Sequence, residues 1–334
     1  MSKNVRTIYD LAELAGVSAA TVSRALAGST LVGAKTAERV QELARKHNFR
    51  PSSFARNLRI RRRGAVGVVI PLGHDRAQHI SDPFFMTMIG CLADELTERG
   101  FDLVLSRVIP DQENWLDAMI DADRADGIIV IGQSNQSATL DRVARWYPPM
   151  VVWGGYCQGQ THCSVGSDNF LGGRMATEHL LSRGCRRIAF CGNLEALEIR
   201  QRHEGACAAV AECADANLLT VPTHLASELS TAEIAAAFDN LSPLPDGVFA
   251  ASDMIALSSI QVLAGRGMRV PDTVKVVGYD DLPLARSSLP ALTTIRQDVA
   301  QGASQLVESL LKRIDGRQTG SVILNPELIV RCST

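Results

Sequence analysis

Thr7-Ile-Tyr-Asp-Leu-Ala-Glu-Leu-Ala-Gly-Val-Ser-Ala-Ala-Thr-Val-Ser-Arg-Ala-Leu26 reads as two short helices joined by a tight turn. Thr7 supplies a capping oxygen, with Asp10 three positions on in a box-like arrangement. Ile8, Leu11, Leu14 and Ala15 recur at helical spacing and give one apolar face. Gly16-Val17 makes the turn, because glycine enters positive φ without a Cβ clash. Ser18 caps the second helix, and Val22 and Leu26 face the first. The pattern is helix-turn-helix, with the second helix placed to enter a major groove N-terminus first. Its surface suits that role. Ala19 and Ala20 are small enough to approach base edges, Thr21 and Ser23 offer hydroxyls, and Arg24 offers a bidentate donor fork. An ordinary helical hairpin shares the same spacing, so the rest of the chain must decide.

The charge distribution supports a nucleic-acid head. Residues 1–63 carry 13 Lys and Arg against 4 Asp and Glu, a net of +9, whereas residues 64–334 carry 21 against 32, a net of −11. A small basic module on a larger acidic body indicates that only the first part meets a polyanion. The 334 residues suit two or three domains, and 46% hydrophobic content provides a large core. No run of about 18 apolar residues occurs, so no membrane span is expected. The opening Met-Ser-Lys-Asn-Val-Arg has no apolar signal segment. Eight cysteines show no zinc spacing; the six-residue offsets of Cys157/Cys163, Cys185/Cys191 and Cys207/Cys213 are read as coincidence. A reduced, cytoplasmic protein follows as the expectation.

After Leu26 a third helix is expected from about Ala34 to His47, with Val40, Leu43 and Ala44 inward and Phe49 closing the module. Pro51 breaks it. The basic stretch Pro51–Arg63 is long enough only for a brief helix carrying Ala55 and Leu58, unstable alone in water, or for a flexible linker. From Ala65 the texture changes. Ala65–Ile70 is a continuous apolar run of the kind that forms a parallel strand buried on both faces. Similar runs recur at Phe101–Ser106, Gly127–Ile131, Met150–Trp153, Arg187–Cys191, Gly247–Ala250 and Val274–Tyr279. Helical stretches alternate with them, among them Phe85–Arg99, Gly172–Arg183, Arg202–Ala214 and Met254–Gly265. Alternating strand and helix predicts a doubly wound α/β body, with ligands bound at the C-terminal ends of the strands.

At this point the chain resembles the lactose-repressor/galactose-repressor (LacI/GalR) family of bacterial transcription regulators. The motifs are Thr7-Ile-Tyr-Asp-Leu-Ala, Gly16-Val-Ser, Thr21-Val-Ser-Arg24 and Arg50-Pro-Ser-Ser-Phe-Ala-Arg-Asn-Leu58. In the body they are Ser81-Asp-Pro-Phe-Phe85, Gly172-Gly-Arg-Met-Ala-Thr-Glu-His-Leu180, Arg202-His-Glu-Gly205 and Ser252-Asp-Met-Ile-Ala256. Val277-Gly-Tyr-Asp-Asp281, Leu292-Thr-Thr-Ile-Arg-Gln297 and Leu328–Thr334 complete the set. The resemblance implies an all-α helix-turn-helix head (1–50), a hinge helix or linker (51–63) and a two-lobed periplasmic-binding-protein-like core (64–334). Lobe one is expected over about 64–165 plus 293–325, and lobe two over about 166–292. The resemblance also implies a homodimer on a near-palindromic operator, with effector in the cleft altering DNA affinity and Leu58 wedged in the minor groove. Departures are Val32-Gly-Ala34 where the family places a Ser cap, Ser52 where it places Asn, a longer 70–82 segment, and no leucine-zipper tail, so a dimer rather than a tetramer is expected.

The resemblance places DNA contacts at Thr7, Tyr9, Ser18, Ala19, Ala20, Thr21, Ser23, Arg24, Ala55 and Leu58. It places effector contacts at Arg202, Ser252, Asp253, Asp280 and Gln297, with Asp82, Phe84 and Phe85 at the first strand-to-helix loop and Trp153 at a strand end. One of the two phenylalanines is expected to be core, and Asp253 has a capping or supporting role as its alternative. Trp115 and Trp146 are expected in packing or an interface. The effector is expected to be a sugar or glycoside, with a purine-type corepressor as the alternative. His74, Asp75 and His79 lie in a polar stretch with Gly73 that reads as loop, so no metal is expected. Gly166-Ser-Asp168 lacks the second glycine of a nucleophile elbow, no catalytic constellation appears, and neither enzymatic activity nor a cofactor is expected. A sugar-binding protein without DNA function is opposed by the basic head.

Overall fold

The computed structural model describes residues 5, 7–26, 29–47, 49, 63–72, 78–225 and 227–334. The chain divides into two compact units, Met1–Gly64 and Ala65–Thr334.

The first unit contains α1 (Ile8–Ala15), α2 (Ala19–Leu26) and α3 (Ala34–Lys46). The capping box at its start is complete: the Thr7 hydroxyl accepts from the Asp10 amide, and the Asp10 carboxylate accepts from the Thr7 amide at 2.8 Å. Gly16 has φ 63°, the left-handed turn that ends α1. Ser18 Oγ accepts from the Thr21 amide at 3.1 Å, capping α2. Gly33, in the place of the Ser cap, makes no side-chain cap bond to α3. Leu11, Ala15, Val22, Ala25 and Val40 are buried together, and Leu43 and Phe49 pack against them. The linker at 51–62, with Ala55 and Leu58, lies outside the described residues, as do His74 and Asp75.

The second unit holds two six-stranded sheets. The first contains β1 (Ala65–Pro71), β2 (Asp102–Val108), β3 (Gly127–Ile131), β4 (Met150–Trp153), β5 (Ser164–Ser167) and β11 (Val322–Leu324). Its order is β11-β5-β4-β3-β1-β2, parallel throughout. The second contains β6 (Arg187–Cys191), β7 (Asn217–Val221), β8 (Gly247–Ala250), β9 (Lys275–Asp280), β10 (Thr293–Arg296) and β12 (Glu327–Ile329). Its order is β12-β10-β9-β8-β6-β7, with only β12 antiparallel. The central strands β1, β3, β4 and β8 are buried along their whole length, as their unbroken apolar runs require.

Helices cover both sheets. α4 (Pro83–Glu98) and α12 (Val299–Ile314) pack Phe85, Met88, Leu92, Leu306 and Leu310 on one face of the first sheet. α5 (Trp115–Asp121) and α6 (Ser137–Ala144) cover its other face through Trp115, Leu116, Leu140 and Val143. The core of the second sheet includes residues of α7 (Asn169–Ser182), α8 (Leu197–Ala211), α9 (Ser227–Asp239), α10 (Asp253–Gly265) and the short α11 (Pro283–Ser287).

The boundaries between lobes differ from expectation. β5 runs to Ser167 in the first sheet, and β10 stays in the second, so the return begins after Arg296 rather than at 293. A third crossing follows β11 and ties the C-terminal strand into the second sheet. There Ser333 Oγ donates to the Val276 carbonyl at 2.6 Å and accepts from the Thr293 amide at 2.8 Å. β5, β7, β10, β11 and β12 were not among the expected strands. They are short or at sheet edges, and Ser164-Val-Gly-Ser167 and Asn217-Leu-Leu-Thr-Val221 carry too few apolar residues to stand out.

Candidate functional site

Between the two sheets of the second unit lies a cavity of about 110 Å³. One wall comes from the first lobe. Asp82 caps α4 by accepting from the Phe84 amide at 2.9 Å, and its second oxygen accepts from Gln78 Nε2 at 3.1 Å. Phe84 lies half-buried, its ring centroid 6.4 Å from that of Trp153 at the end of β4. Phe85 also reaches the lining, but it is buried among the α4 core residues, so it is the phenylalanine that packs. Gly302 on α12 makes room for the tryptophan, since a Cβ there would lie 2.3 Å from Trp153 Cζ3.

The opposite wall is polar. Arg202 projects from α8 and is buried; its Nε donates to Asn169 Oδ1 at 2.9 Å and its Nη1 to the Ala251 carbonyl at 2.6 Å. Its guanidinium carbon stands 3.6 Å from the Tyr279 ring centroid, a desolvated cation–π contact. Asp280 ends β9 and accepts from Gln297 Nε2 at 2.6 Å. Burial and the charge of Asp82 push its carboxyl up to about 7, against the opposing pull of Arg202 and Gln297. Asp280 and Asp281 have φ of 123° and 57°, successive non-glycine residues in sparsely populated backbone regions. The second of the two is anchored. Burial pushes the Asp281 carboxyl up, but hydrogen bonds from Arg331 and from Arg296 Nε at 2.8 Å bring it below the usual carboxylate range. Ser252 caps α10, accepting from the Ile255 amide at 3.2 Å, and lines the cavity.

Asp82, Phe84, Phe85, Trp153, Arg202, Ser252, Asp280 and Gln297 thus converge on the cavity. Asp253 does not line it. It lies beneath, fully buried, accepting from Thr294 Oγ1 at 2.6 Å and from the Leu282 amide at 2.8 Å. Gln78, Ser134 and Glu198 also line the cavity and were not expected there. They come from loops and a helix start without periodic pattern. Asn169, which orients Arg202, was likewise unseen. Trp115 is buried and donates to Gln136 Oε1 at 2.9 Å, whereas Trp146 is half-exposed and packs edge-on against Tyr147. His79 is exposed.

On the head, Thr7, Tyr9, Ser18, Ala20 and Arg24 are exposed, Tyr9 at 68%, and Ala19, Thr21 and Ser23 are half-buried. Val22 and Ala25 turn inward, so α2 presents its polar side outward. Among the described residues no helix is long and apolar enough to cross a membrane, and all eight cysteines are free.

A helix-turn-helix head and a two-sheet body with an interlobe cavity together define the architecture of a DNA-binding regulator. Residues 7–52 match the model of the bacterial regulatory proteins of the lacI family, and residues 177–334 that of the periplasmic binding protein-like domain. The HTH-type transcriptional repressor PurR of Haemophilus influenzae (strain PittEE) is 30% identical over 343 residues, covering 98% of each chain. The ribose operon repressor of Halalkalibacterium halodurans is 30% identical over 334 residues, covering 98% of this chain and 97% of that one. Among solved structures, a complex of the transcriptional regulator CelR with cellobiose has a TM-score of 0.70 at 27% identity, over 99% of this chain and 100% of that one. The lac repressor dimer bound to operator and the anti-inducer ONPF has a TM-score of 0.81 at 24% identity over 99% of each chain, a likeness of fold. The chain belongs to the LacI family of bacterial DNA-binding transcriptional repressors. It is a regulator rather than an enzyme.

Proposed function

We propose that the chain is a homodimeric repressor of a near-palindromic operator, and that its DNA affinity is set by a monocyclic, polyhydroxylated effector, a monosaccharide, held in the interlobe cavity. The carrying observation is the arrangement of its walls. The paired rings of Phe84 and Trp153 offer one apolar face, and Arg202, Asp280, Gln297 and Ser252 offer directed polar groups. A sugar ring has that division, with C–H faces and hydroxyl edges. The cavity of about 110 Å³ also limits the effector to a small molecule. The two rings touch each other rather than facing across a slot, so they do not form a sandwich for a flat base. Tyr9, Ser18, Ala19, Ala20, Thr21, Ser23, Arg24 and the Thr7 end of α1 form the proposed DNA-reading surface.

A purine effector is the second reading, supported by the relative named PurR at the same 30% identity as the ribose operon repressor. Calorimetry of the full chain against D-ribose, D-glucose, cellobiose, adenine and hypoxanthine separates the two. Binding of a monosaccharide, with a matching change in operator mobility shift, supports the proposal. Binding of the bases alone replaces it with the second reading.

A further inference from the structure

Beneath the cavity two carboxyl groups are stacked in depth. Asp280 faces the cavity and Asp253 lies under it. Asp253 is wholly buried, and among the described residues no Arg, Lys or His lies within ion-pair distance of it. The neighbouring charges that act on it are themselves acidic, Asp280 and Asp281. Gly278 of β9 packs directly on it: a Cβ there would lie 2.4 Å from Asp253 Oδ1, and the Leu292 side chain and Ala256 close the same space. A carboxylate so enclosed is poorly compensated for the water it has lost. The neutral acid, by contrast, has a hydrogen-bonding neighbour at each oxygen. Oδ2 accepts from the Leu282 amide, and the 2.6 Å contact at Oδ1 lets the acid donate to Thr294 Oγ1, because a hydroxyl is both donor and acceptor. Burial and the Asp280 charge raise the Asp253 carboxyl well above its usual range.

Asp280 faces groups of both signs. From α8 come Arg202, which favours its charge, and Glu198 at the cavity lining; from the N-cap of α4 comes Asp82, which opposes it. The Asp253 amide and Gln297 favour the charged form, and the neighbouring Asp281 is occupied by Arg296, Arg331 and the more distant Arg286 at 3.5 Å. Arg202 donates to Asn169 and to the Ala251 carbonyl rather than pairing directly with Asp280. With one proton on Asp253, Asp280 is left to gain or lose a second one in the neutral range.

We propose that effector binding releases one proton from this buried carboxyl pair, the proton leaving Asp280 for solvent as hydroxyl groups of the ligand begin donating to its oxygens. No bond other than O–H is broken. The sign follows from the chemistry. A ligand that donates is held more strongly by the ionised carboxylate than by the neutral acid, so affinity rises with pH up to the free-state titration of Asp280 near 7 and is flat above it. Below that point each pH unit weakens binding about tenfold, one proton per ligand. A ligand presenting acceptors instead would prefer the protonated acid and reverse the slope. The coupling rests on the proposed reading of the cavity as the effector site; the protonation of the pair does not.

Two measurements on the full chain test the parts separately. Infrared difference spectra of the ligand-free protein across the neutral range read protonated carboxyl bands directly. A band that persists above neutrality and is missing in Asp253→Asn, together with one that titrates near neutrality and is missing in Asp280→Asn, is expected. Thr294→Val, which removes the hydroxyl partner without the charge, should shift the persistent band and serves if Asp253→Asn fails to fold. Absence of any protonated carboxyl near neutral pH overturns the proposal. Calorimetry with D-ribose and D-glucose in buffers of different ionisation enthalpy then counts protons. Release of about one proton below neutrality supports the coupling, and binding without proton release overturns it alone. A lack of binding by either sugar at any pH overturns both the sugar reading and the coupling.

Discussion

A Cβ on Gly173 would lie 1.9 Å from the carbonyl oxygen of Arg202, so α7 and α8 touch backbone to backbone beside the arginine that enters the cavity. The contact is reciprocal: a Cβ on Gly205 would lie 2.0 Å from the Phe170 carbonyl, and one on Gly172 would lie 2.4 Å from the Tyr279 hydroxyl. Three glycines therefore fix the depth at which Arg202 sits over Tyr279. Gly173→Ala should force the helices apart and destabilise the fold by about 1–3 kcal/mol, the usual cost of overpacking. It should also weaken effector binding by displacing Arg202. Urea unfolding of the full chain checks the first effect; a midpoint equal to wild type would show that the helices have room the geometry denies them.

The head depends on its capping box. Thr7→Ala removes the acceptor for the Asp10 amide and leaves the Asp10 carboxylate to cap alone, costing about 1 kcal/mol at the start of α1. Because Leu11 and Ala15 of α1 carry the packing against Val22 of α2, operator affinity should fall with it. Hydrogen exchange in the full chain should report faster exchange in α1 and α2 and none in α8 or α10. Unchanged protection in the head would mean that tertiary packing, not the cap, sets its local stability.

Arg24 is exposed on α2, beyond the inward-facing Val22 and Ala25. If its guanidinium pairs with a guanine edge, Arg24→Ala should remove about 1–3 kcal/mol of discrimination at one base pair. If it holds phosphate, affinity should drop evenly across sequences and the salt slope should fall by about one. Titrations against operator and scrambled DNA at two salt concentrations distinguish these outcomes. An arginine that leaves both affinity and slope unchanged does not belong to the reading surface.

Local features of this chain were legible because they are written in adjacent residues. Thr7 with Asp10, Gly16 and Ser18 act over three or four positions, and the unbroken run Gly127–Ile131 announces a strand buried on both faces. The edge strand β2 was legible only in part, as its alternation of exposed and half-buried positions blurs its end at Val108. Arg202, Asp280 and Gln297 were legible only through the ordered motifs around them, since a single Arg or Asp carries no sign of its surroundings. Gln78, Ser134 and Glu198 had no motif, and their arrival at one cavity is a product of three crossings between lobes. The shift of Asp253 from the cavity wall to a place beneath it turns on one residue of helix phase: Ser252 is the cap facing the cavity, and Asp253, the next residue, points under it.

Asn169 gives the sharpest test of how the arginine is held. Its Oδ1 accepts from Arg202 Nε, and its Nδ2 donates to the Ser167 carbonyl at 3.0 Å, so one buried amide bridges the end of β5 to the cavity arginine. Asn169 does not itself line the cavity, and it acts through Arg202. Removing it by Asn169→Ala leaves Arg202 its bond to the Ala251 carbonyl and its stacking on Tyr279, but frees the guanidinium to rotate. A hydrogen bond to a charged group is worth about 1.5–3 kcal/mol, so effector affinity should fall by at least about tenfold. Arg202→Ala should lose more, because it removes the ligand contact as well as its orientation. Asn169→Asp keeps an acceptor for Nε and should recover much of the affinity, at the expense of the donor to Ser167. Calorimetry with the effector identified from the sugar and base panel ranks the three variants, and urea midpoints measured alongside separate loosened binding from loosened folding. Equal affinity in Asn169→Ala and wild type would show that Tyr279 and Ala251 alone hold the arginine in place.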